Sequence, residues 1–211
     1  MQEKIVTYKS LFTNKSFLIS LIISIIFLYI SIVINFYAGN YATRSISNPV
    51  TDIILSNIRV FDLDSTFIYG SMIFIICIVV VFLHKPQRIP FAIKSLALFV
   101  ITRSIFISLT HVAPFPSQTI IDSIFMSKFS FGGDLFFSGH TGMPFLLALI
   151  YWKDTWTRFM FMGFSFGFAI VVLLAHIHYS IDVLAAFFIT YTIFHIAEYL
   201  FKKDKEVFFE M

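Results

Sequence analysis

The feature that most constrains this chain is a series of long apolar segments that match the thickness of a lipid bilayer. The first segment, residues 17–38 (FLISLIISIIFLYISIVINFYA), contains no charged side chain. A helix needs about 20 apolar residues to cross roughly 30 Å of hydrocarbon. Further segments of this kind, some of them shorter, lie at 66–83, 91–109, 140–152, 156–175 and 181–200. The sequence therefore predicts six membrane spans, the fourth being short and extended by a partly buried entry at 135–140.

Lipid restricts the architecture that these spans can adopt. Backbone groups inside a bilayer must be hydrogen-bonded within the protein, so only helices and closed barrels can cross it. The alternating pattern of barrel strands is missing here. We expect an all-α, six-helix transmembrane bundle over 17–200, between short tails at 1–16 and 201–211. The first segment is longer than the roughly 7–15 apolar residues of a signal peptide, and we expect it to be retained.

Composition supports this class and excludes several others. The 211 residues are 58% hydrophobic and 13% charged, so intrinsic disorder is excluded. A single cysteine, Cys77, excludes a disulfide scaffold. The formal net charge is only +3 and no basic stripe is present, so no nucleic-acid partner is expected.

The distribution of lysine and arginine predicts the orientation. Basic residues are concentrated on the cytoplasmic side of membrane proteins. Most of the basic residues here fall within four segments, namely 4–15, 85–94, 153–158 and 202–205. Both termini are therefore predicted to be cytoplasmic. The loops 39–65 and 110–139 and the turn 178–180 should then face the exoplasmic or periplasmic side.

Four polar clusters, distant in sequence, are predicted to meet on that outer side and to form one site. They are NPVTDIIL (48–55), RSIFISLTHVAPFP (103–116), GGDLFFSGHTG (132–142) and AHIHYSIDV (175–183).

Two residues of the last cluster have the spacing of a base and the group that orients it. His178 and Asp182 are four positions apart and share one face of a helix. A carboxylate there can accept the imidazole N–H and leave the other ring nitrogen free for nucleophilic or general-base chemistry. The spacing alone also fits a purely structural hydrogen-bonded pair.

The other clusters add groups that suit an anion. Ser138, Gly139 and His140 stand at a helix start, where backbone N–H groups favour negative charge and where a histidine can pass a proton. Arg103 lies within the third span, where a guanidinium is costly unless it meets an anion such as phosphate. Two alternatives stay open: a simple helix cap at Ser138, and an Arg103 that snorkels or pairs with Asp52.

A metal site is weakly supported. His176 and His178 are two residues apart, which on a helix separates them by about 200°. No further carboxylate-rich motif or usable cysteine accompanies them, and no phosphate-loop or dinucleotide fingerprint occurs. We expect neither a metal nor another cofactor.

With these residues, the sequence resembles the sphingomyelin synthase-related branch of the type-2 phosphatidic acid phosphatase superfamily. The segment GGDLFFSGHT is similar to the family pattern C-G-D-x-x-[FY]-S-G-H-T, with Gly132 in place of cysteine. AHIHYSIDV is similar to A-H-x-H-Y-[ST]-[IV]-D-V. The two other clusters resemble the family's arginine-containing and proline–aspartate segments more weakly.

The resemblance implies a catalytic set formed by His140, His178 and Asp182. His178 would attack phosphorus, Asp182 would orient it, and His140 would protonate the leaving oxygen and later deprotonate the acceptor. A headgroup would pass through a phosphohistidine without a metal. The resemblance further implies a phospholipid donor and a lipid-alcohol acceptor such as ceramide. It does not imply a protein partner or an oligomeric state.

The chain departs from the phosphatase members, which carry a Lys-x6-Arg-Pro segment and an arginine six residues before the last histidine. Here that position is Val172. A phosphate monoester carries about −1.5 to −2 charge, whereas a diester carries one negative charge. Arg103, together with Lys128, suits a diester better. The candidates to contact the phosphate or headgroup are Arg103, Ser138, Gly139, Asp134 and Tyr179. Two rival functions stay open: a hydrolase with the same three catalytic residues, and a non-catalytic transporter or scaffold.

Overall fold

The computed structural model describes residues 8–118 and 135–210, and regular structure within these ranges is helical. A 3₁₀ turn at Pro86–Arg88 precedes the fourth helix. The helices are α1 (Tyr8–Thr13), α2 (Lys15–Arg44), α3 (Asp64–His84), α4 (Ile89–Leu109), α5 (Gly139–Ile150), α6 (Thr155–Leu174), α7 (Ser180–Leu200) and α8 (Lys202–Glu210).

The predicted all-helical membrane architecture is confirmed in its coarse form. Among the described residues, five helices are long and apolar enough to span a bilayer: α2, α3, α4 with its preceding turn, α6 and α7. The predicted fourth span corresponds to α5, which is a shorter apolar helix of 12 residues. A count of six spans therefore stays a prediction, and so does the cytoplasmic location of both termini.

Helix α5 is short because it lies inside the bundle. It packs against α4, α6 and α7, and nine of its 12 residues are buried. Residues Leu135, Phe137 and Ser138 lead into it as buried, non-helical chain. By contrast, α2 packs mainly on α4 and exposes much of its apolar surface, as expected of a helix that faces lipid.

Ion pairs hold the end of the bundle at which α2 begins and α7 ends. Lys94 of α4 is buried and donates hydrogen bonds to Asp204 of α8 at 2.7 Å and to Ser20 of α2 at 2.9 Å. Asp154 caps α6 and pairs with Lys85 at 2.9 Å. These acidic groups lie at the opposite end from the first turns of α5 and α7.

Two glycines provide a matched test of this packing. A Cβ on Gly142 of α5 would lie 2.7 Å from the Phe99 ring and 2.8 Å from the Thr190 hydroxyl, whereas one on Gly163 of α6 would meet nothing within 4 Å. Overpacking a close-packed core typically costs about 1–3 kcal/mol. Gly142→Ala is therefore expected to lower the midpoint of thermal unfolding in detergent, and Gly163→Ala to leave it unchanged or raise it. Equal midpoints for the two variants would contradict the central position of α5.

Candidate active site

A tight reversal between α6 and α7 positions His178. Helix α6 ends in a Schellman motif: the His176 amide donates to the Leu173 carbonyl at 3.1 Å, and the Ile177 amide donates to Val172 at 2.8 Å. The left-handed position of this motif is occupied by His176, with φ of 55°, where glycine is more usual. Its Nδ1 shares a hydrogen bond of 2.6 Å with the Ser117 hydroxyl. The chain therefore turns within five residues, and His178 lies directly before α7.

The carboxylate of Asp182 makes two contacts in the first turn of α7. Its Oδ2 lies 3.2 Å from Nδ1 of His178 and accepts the Tyr179 amide at 3.1 Å. The second contact is the N3-to-N-cap bond of a capping box. Both His178 and Asp182 are buried. The predicted proximity of these two side chains is present, and since Asp182 faces Nδ1, Nε2 is the ring nitrogen on the other side.

The start of α5 lies against this turn. Ser138 is the N-cap of α5, and its backbone amide donates to the Asp182 carbonyl oxygen at 3.1 Å. The two histidine motifs are thus joined by a direct backbone hydrogen bond. This contact between segments that are distant in sequence holds the amino-terminal ends of α5 and α7 together.

Arg103 reaches the same helix start from α4. Its Nε donates to the Phe137 carbonyl at 3.2 Å, and a Cβ on Gly139 would lie 3.3 Å from that nitrogen. Glycine therefore allows the guanidinium to approach the backbone closely. The positive end of the α5 dipole and a buried guanidinium converge here, and both stabilise an anion.

His140 completes the group. Its ring packs on Phe67, with ring centroids 4.4 Å apart, and on Phe168 at 5.6 Å. It follows Gly139 directly, in the first turn of α5. Within the part of the chain that the structure describes, no hydrogen bond engages the ring nitrogens of His140. Aromatic packing thus holds the imidazole while its nitrogens stay available for proton transfer.

Asp52 also belongs to this region, and its hydrogen-bond partners could not be predicted from the sequence. It was considered above as a partner for Arg103, but its Oδ2 accepts the Ser180 amide at 2.7 Å, and its Oδ1 accepts the Ile54 and Leu55 amides at 2.8 and 3.0 Å. Burial alone would raise the pKa of this carboxyl, but the hydrogen bonds outweigh burial and hold the pKa below its ordinary value. Asp52 is therefore a carboxylate at neutral pH.

Tyr179 and Asp134 are the remaining residues predicted to contact the headgroup. Tyr179 is buried, and its hydroxyl donates to the Ala113 carbonyl at 2.8 Å and accepts the Val50 amide at 3.3 Å. Its hydroxyl thus joins two loops, and its role at a headgroup stays a prediction. Asp134 lies outside the described residues, as does Lys128, so their roles also stay predictions.

The described ranges contain no group of three or more His, Cys, Asp or Glu side chains arranged to hold a metal ion. His176 and His178 are both buried, but His176 is engaged by Ser117 and His178 by Asp182.

Comparison with known proteins gives one match. Residues 132–199, about a third of the chain, match the family model described as PAP2 superfamily C-terminal. This segment contains the start of α5, the turn before α7 and nearly all of α7. The match supports the type-2 phosphatidic acid phosphatase superfamily and points to phosphatase- or phosphotransferase-type lipid chemistry. No curated protein and no solved structure shows significant similarity to the chain.

Removing the Tyr179 hydroxyl tests its role between the loops. Tyr179→Phe should leave the buried Ala113 carbonyl without its donor, which typically costs about 1–3 kcal/mol of stability. We expect a lower midpoint of thermal unfolding in detergent. Tyr199→Phe, at an exposed tyrosine on the same helix, is the control and should leave the midpoint unchanged. A raised KM for the lipid donor with no change in the midpoint would instead assign Tyr179 to the headgroup.

Proposed function

We propose that this chain is a membrane phosphotransferase that moves a phosphocholine or phosphoethanolamine headgroup from a glycerophospholipid to a lipid alcohol such as ceramide. His178 is the nucleophile, Asp182 orients it, and His140 acts as acid and then as base. Arg103, together with Ser138 and Gly139 at the start of α5, binds the phosphate.

One observation carries this proposal: a buried histidine–carboxylate pair is hydrogen-bonded, through the Asp182 carbonyl, to the helix start that a buried arginine contacts. Asp182 holds Nδ1 of His178, so Nε2 is the nitrogen available to attack. The Ser138 amide, bonded to the Asp182 carbonyl, ties this pair to the helix start that Arg103 contacts. An anionic phosphorus centre is the electrophile that such surroundings stabilise.

In the first half-reaction, Nε2 of His178 attacks phosphorus and a nitrogen–phosphorus bond forms. The bond between phosphorus and the diacylglycerol oxygen breaks, and that oxygen takes the proton of His140. The products are diacylglycerol and a phosphohistidine that carries the headgroup. Asp182 stabilises the positive charge that develops on the attacking imidazole.

In the second half-reaction, His140 removes the proton from the hydroxyl of the acceptor. The acceptor oxygen attacks phosphorus, the nitrogen–phosphorus bond breaks, and His178 regains its free nitrogen. His140 is again protonated, so the cycle closes without net proton uptake. Water in place of the lipid alcohol would give hydrolysis by the same steps.

The electrostatics of the site support a diester substrate. A diester carries one negative charge, and a terminal monoester about −1.5 to −2. The position six residues before His178 is Val172, a buried apolar residue of α6, where phosphatase members place an arginine. The described site thus supplies less positive charge than a monoester would require, and this favours headgroup transfer over phosphatidic acid hydrolysis.

The proposal can be tested with purified protein and headgroup-labelled phosphatidylcholine or phosphatidylethanolamine. Ceramide and diacylglycerol are supplied together as competing acceptors. We expect label in a new lipid and a covalent, acid-labile label on the protein. His178→Ala should abolish both, with a rate loss of several orders of magnitude. His195→Ala is a matched control, because His195 also faces a carboxylate on α7, Glu198 at 3.0 Å, but lies at the other end of the helix.

The outcomes separate the possible functions. Label that appears only in a water-soluble product would assign a hydrolase. Lipid turnover that survives His178→Ala would contradict the catalytic set. No turnover of any lipid phosphodiester or monoester would favour a transporter or scaffold.

The orienting role of Asp182 has its own test. Asp182→Asn keeps the size of the side chain but replaces the carboxylate that holds His178, so the imidazolium loses its stabilising charge. In comparable base–carboxylate pairs this change lowers kcat by about 10⁴-fold. Glu198→Gln at the far end of α7 should leave kcat unchanged. Equal rates in the Asp182→Asn variant and the parent protein would exclude an orienting role.

A further inference from the structure

A carboxylate outside the catalytic set holds the helix end on which that set depends. Asp52, in the loop between α2 and α3, accepts the Ser180 amide at 2.7 Å. Ser180 is the first residue of α7, between His178 and Asp182. Since the first N–H groups of a helix have no partner inside the helix, an external acceptor fixes the direction in which the helix starts.

The amino-terminal donors of α7 are divided between two carboxylates. Asp182 accepts the Tyr179 amide, and Asp52 accepts the Ser180 amide. The negative charge of Asp52 also favours the positive end of the α7 dipole. The loop itself is organised by this carboxylate, which accepts the Ile54 and Leu55 amides. Asp52 therefore joins an ordered loop to the turn that carries the nucleophile.

We propose that Asp52 is a positioning residue, which holds the first turn of α7 so that His178 and Asp182 keep their reactive geometry. This inference rests on the proposed function, since it names a further residue for the same reaction. Asp52 acts through the backbone of Ser180 and does not itself contact the reacting atoms.

The loop has other attachments that do not involve Asp52. The Phe61 amide donates to the Leu174 carbonyl at 2.9 Å, and Leu55 packs in a small cluster with Leu135 and Tyr179. Loss of the Asp52–Ser180 hydrogen bond should therefore leave the loop in place. Its effect should appear in the geometry of the catalytic pair, where a displacement of about 1 Å can lower the rate roughly 100-fold.

Ser180 allows this hydrogen bond to be removed with little other change. Proline is well accepted at the first position of a helix, because the N–H that it lacks has no partner within the helix. Proline also requires an extended residue before it, and Tyr179 has φ −66° and ψ 155°. Ser180→Pro therefore deletes the donor to Asp52 in a conformation that proline accepts. The Ser180 hydroxyl also hydrogen-bonds the Asp52 carboxylate. Ser180→Ala removes this hydroxyl but keeps the amide, so it is the control that isolates the loss of the amide in Ser180→Pro.

The experiment compares five purified proteins in the lipid-transfer assay: the parent, Ser180→Pro, Ser180→Ala, Asp52→Asn and Asp62→Asn. Asp62 is an exposed carboxylate of the same loop, and its Oδ1 accepts the local Asp64 amide at 3.3 Å. We expect Ser180→Pro and Asp52→Asn to lower kcat by about 10–100-fold with little change in KM. Formation of the phosphohistidine should slow in parallel. Asp62→Asn should behave like the parent, and Ser180→Ala, which keeps the amide donor to Asp52, should retain a clearly higher kcat than Ser180→Pro.

Thermal unfolding and size-exclusion profiles of each variant give the folded fraction, and rates are expressed per folded protein. If Ser180→Pro then equals Ser180→Ala in kcat, the positioning role is overturned. If Asp52→Asn does not fold, the comparison of the two Ser180 variants alone decides. A parent protein that turns over no phosphodiester would overturn the proposed function instead, and this outcome is visible before any variant is compared.

Discussion

The site depends on one carboxylate, that of Asp182, which is buried at the first turn of α7. It accepts the Tyr179 amide and faces Nδ1 of His178, so the bond that starts the helix and the bond that orients the imidazole involve the same oxygen. A buried carboxylate is stable only when its hydrogen bonds are made. The fold of this turn and the orientation of the His178 ring are therefore coupled, and any group that shifts the helix start also shifts His178.

The surroundings of this carboxylate come from parts of the chain that lie far apart in sequence. The Ser138 amide ties α5 to the Asp182 carbonyl, and Arg103 of α4 contacts the chain just before α5. Asp52 holds the Ser180 amide from a separate loop. Asp52, Arg103, Ser138 and Asp182 are all buried, so the loss of any of these contacts leaves a buried polar group without its partner, at a cost in stability.

Much of this arrangement could be predicted from the sequence, and the reasons are physical. Apolar segments of bilayer length predict membrane helices, and the i,i+4 spacing predicts that His178 and Asp182 meet. The prediction that Ser138 caps a helix also placed Gly139 and His140 in the first turn of α5. The partner of Asp52 could not be predicted, because a carboxylate in a loop of 45–63 can accept any backbone amide that the tertiary fold brings near. The left-handed backbone conformation of His176 could not be predicted either, because the end of α6 lacks the glycine that usually adopts it.

The sequence by itself determined the apolar helical class, the local pairing of His178 with Asp182 at the start of α7, and the cap of α5, because these depend on composition and on neighbours a few residues away. Only the tertiary structure decided that α5 is the central helix, that Asp52 joins Ser180, and that Arg103 and the α5 start converge beside His178. Those contacts join residues separated by tens of positions or more. They exist only once the helices have packed, since packing alone fixes which buried donors and acceptors can reach one another.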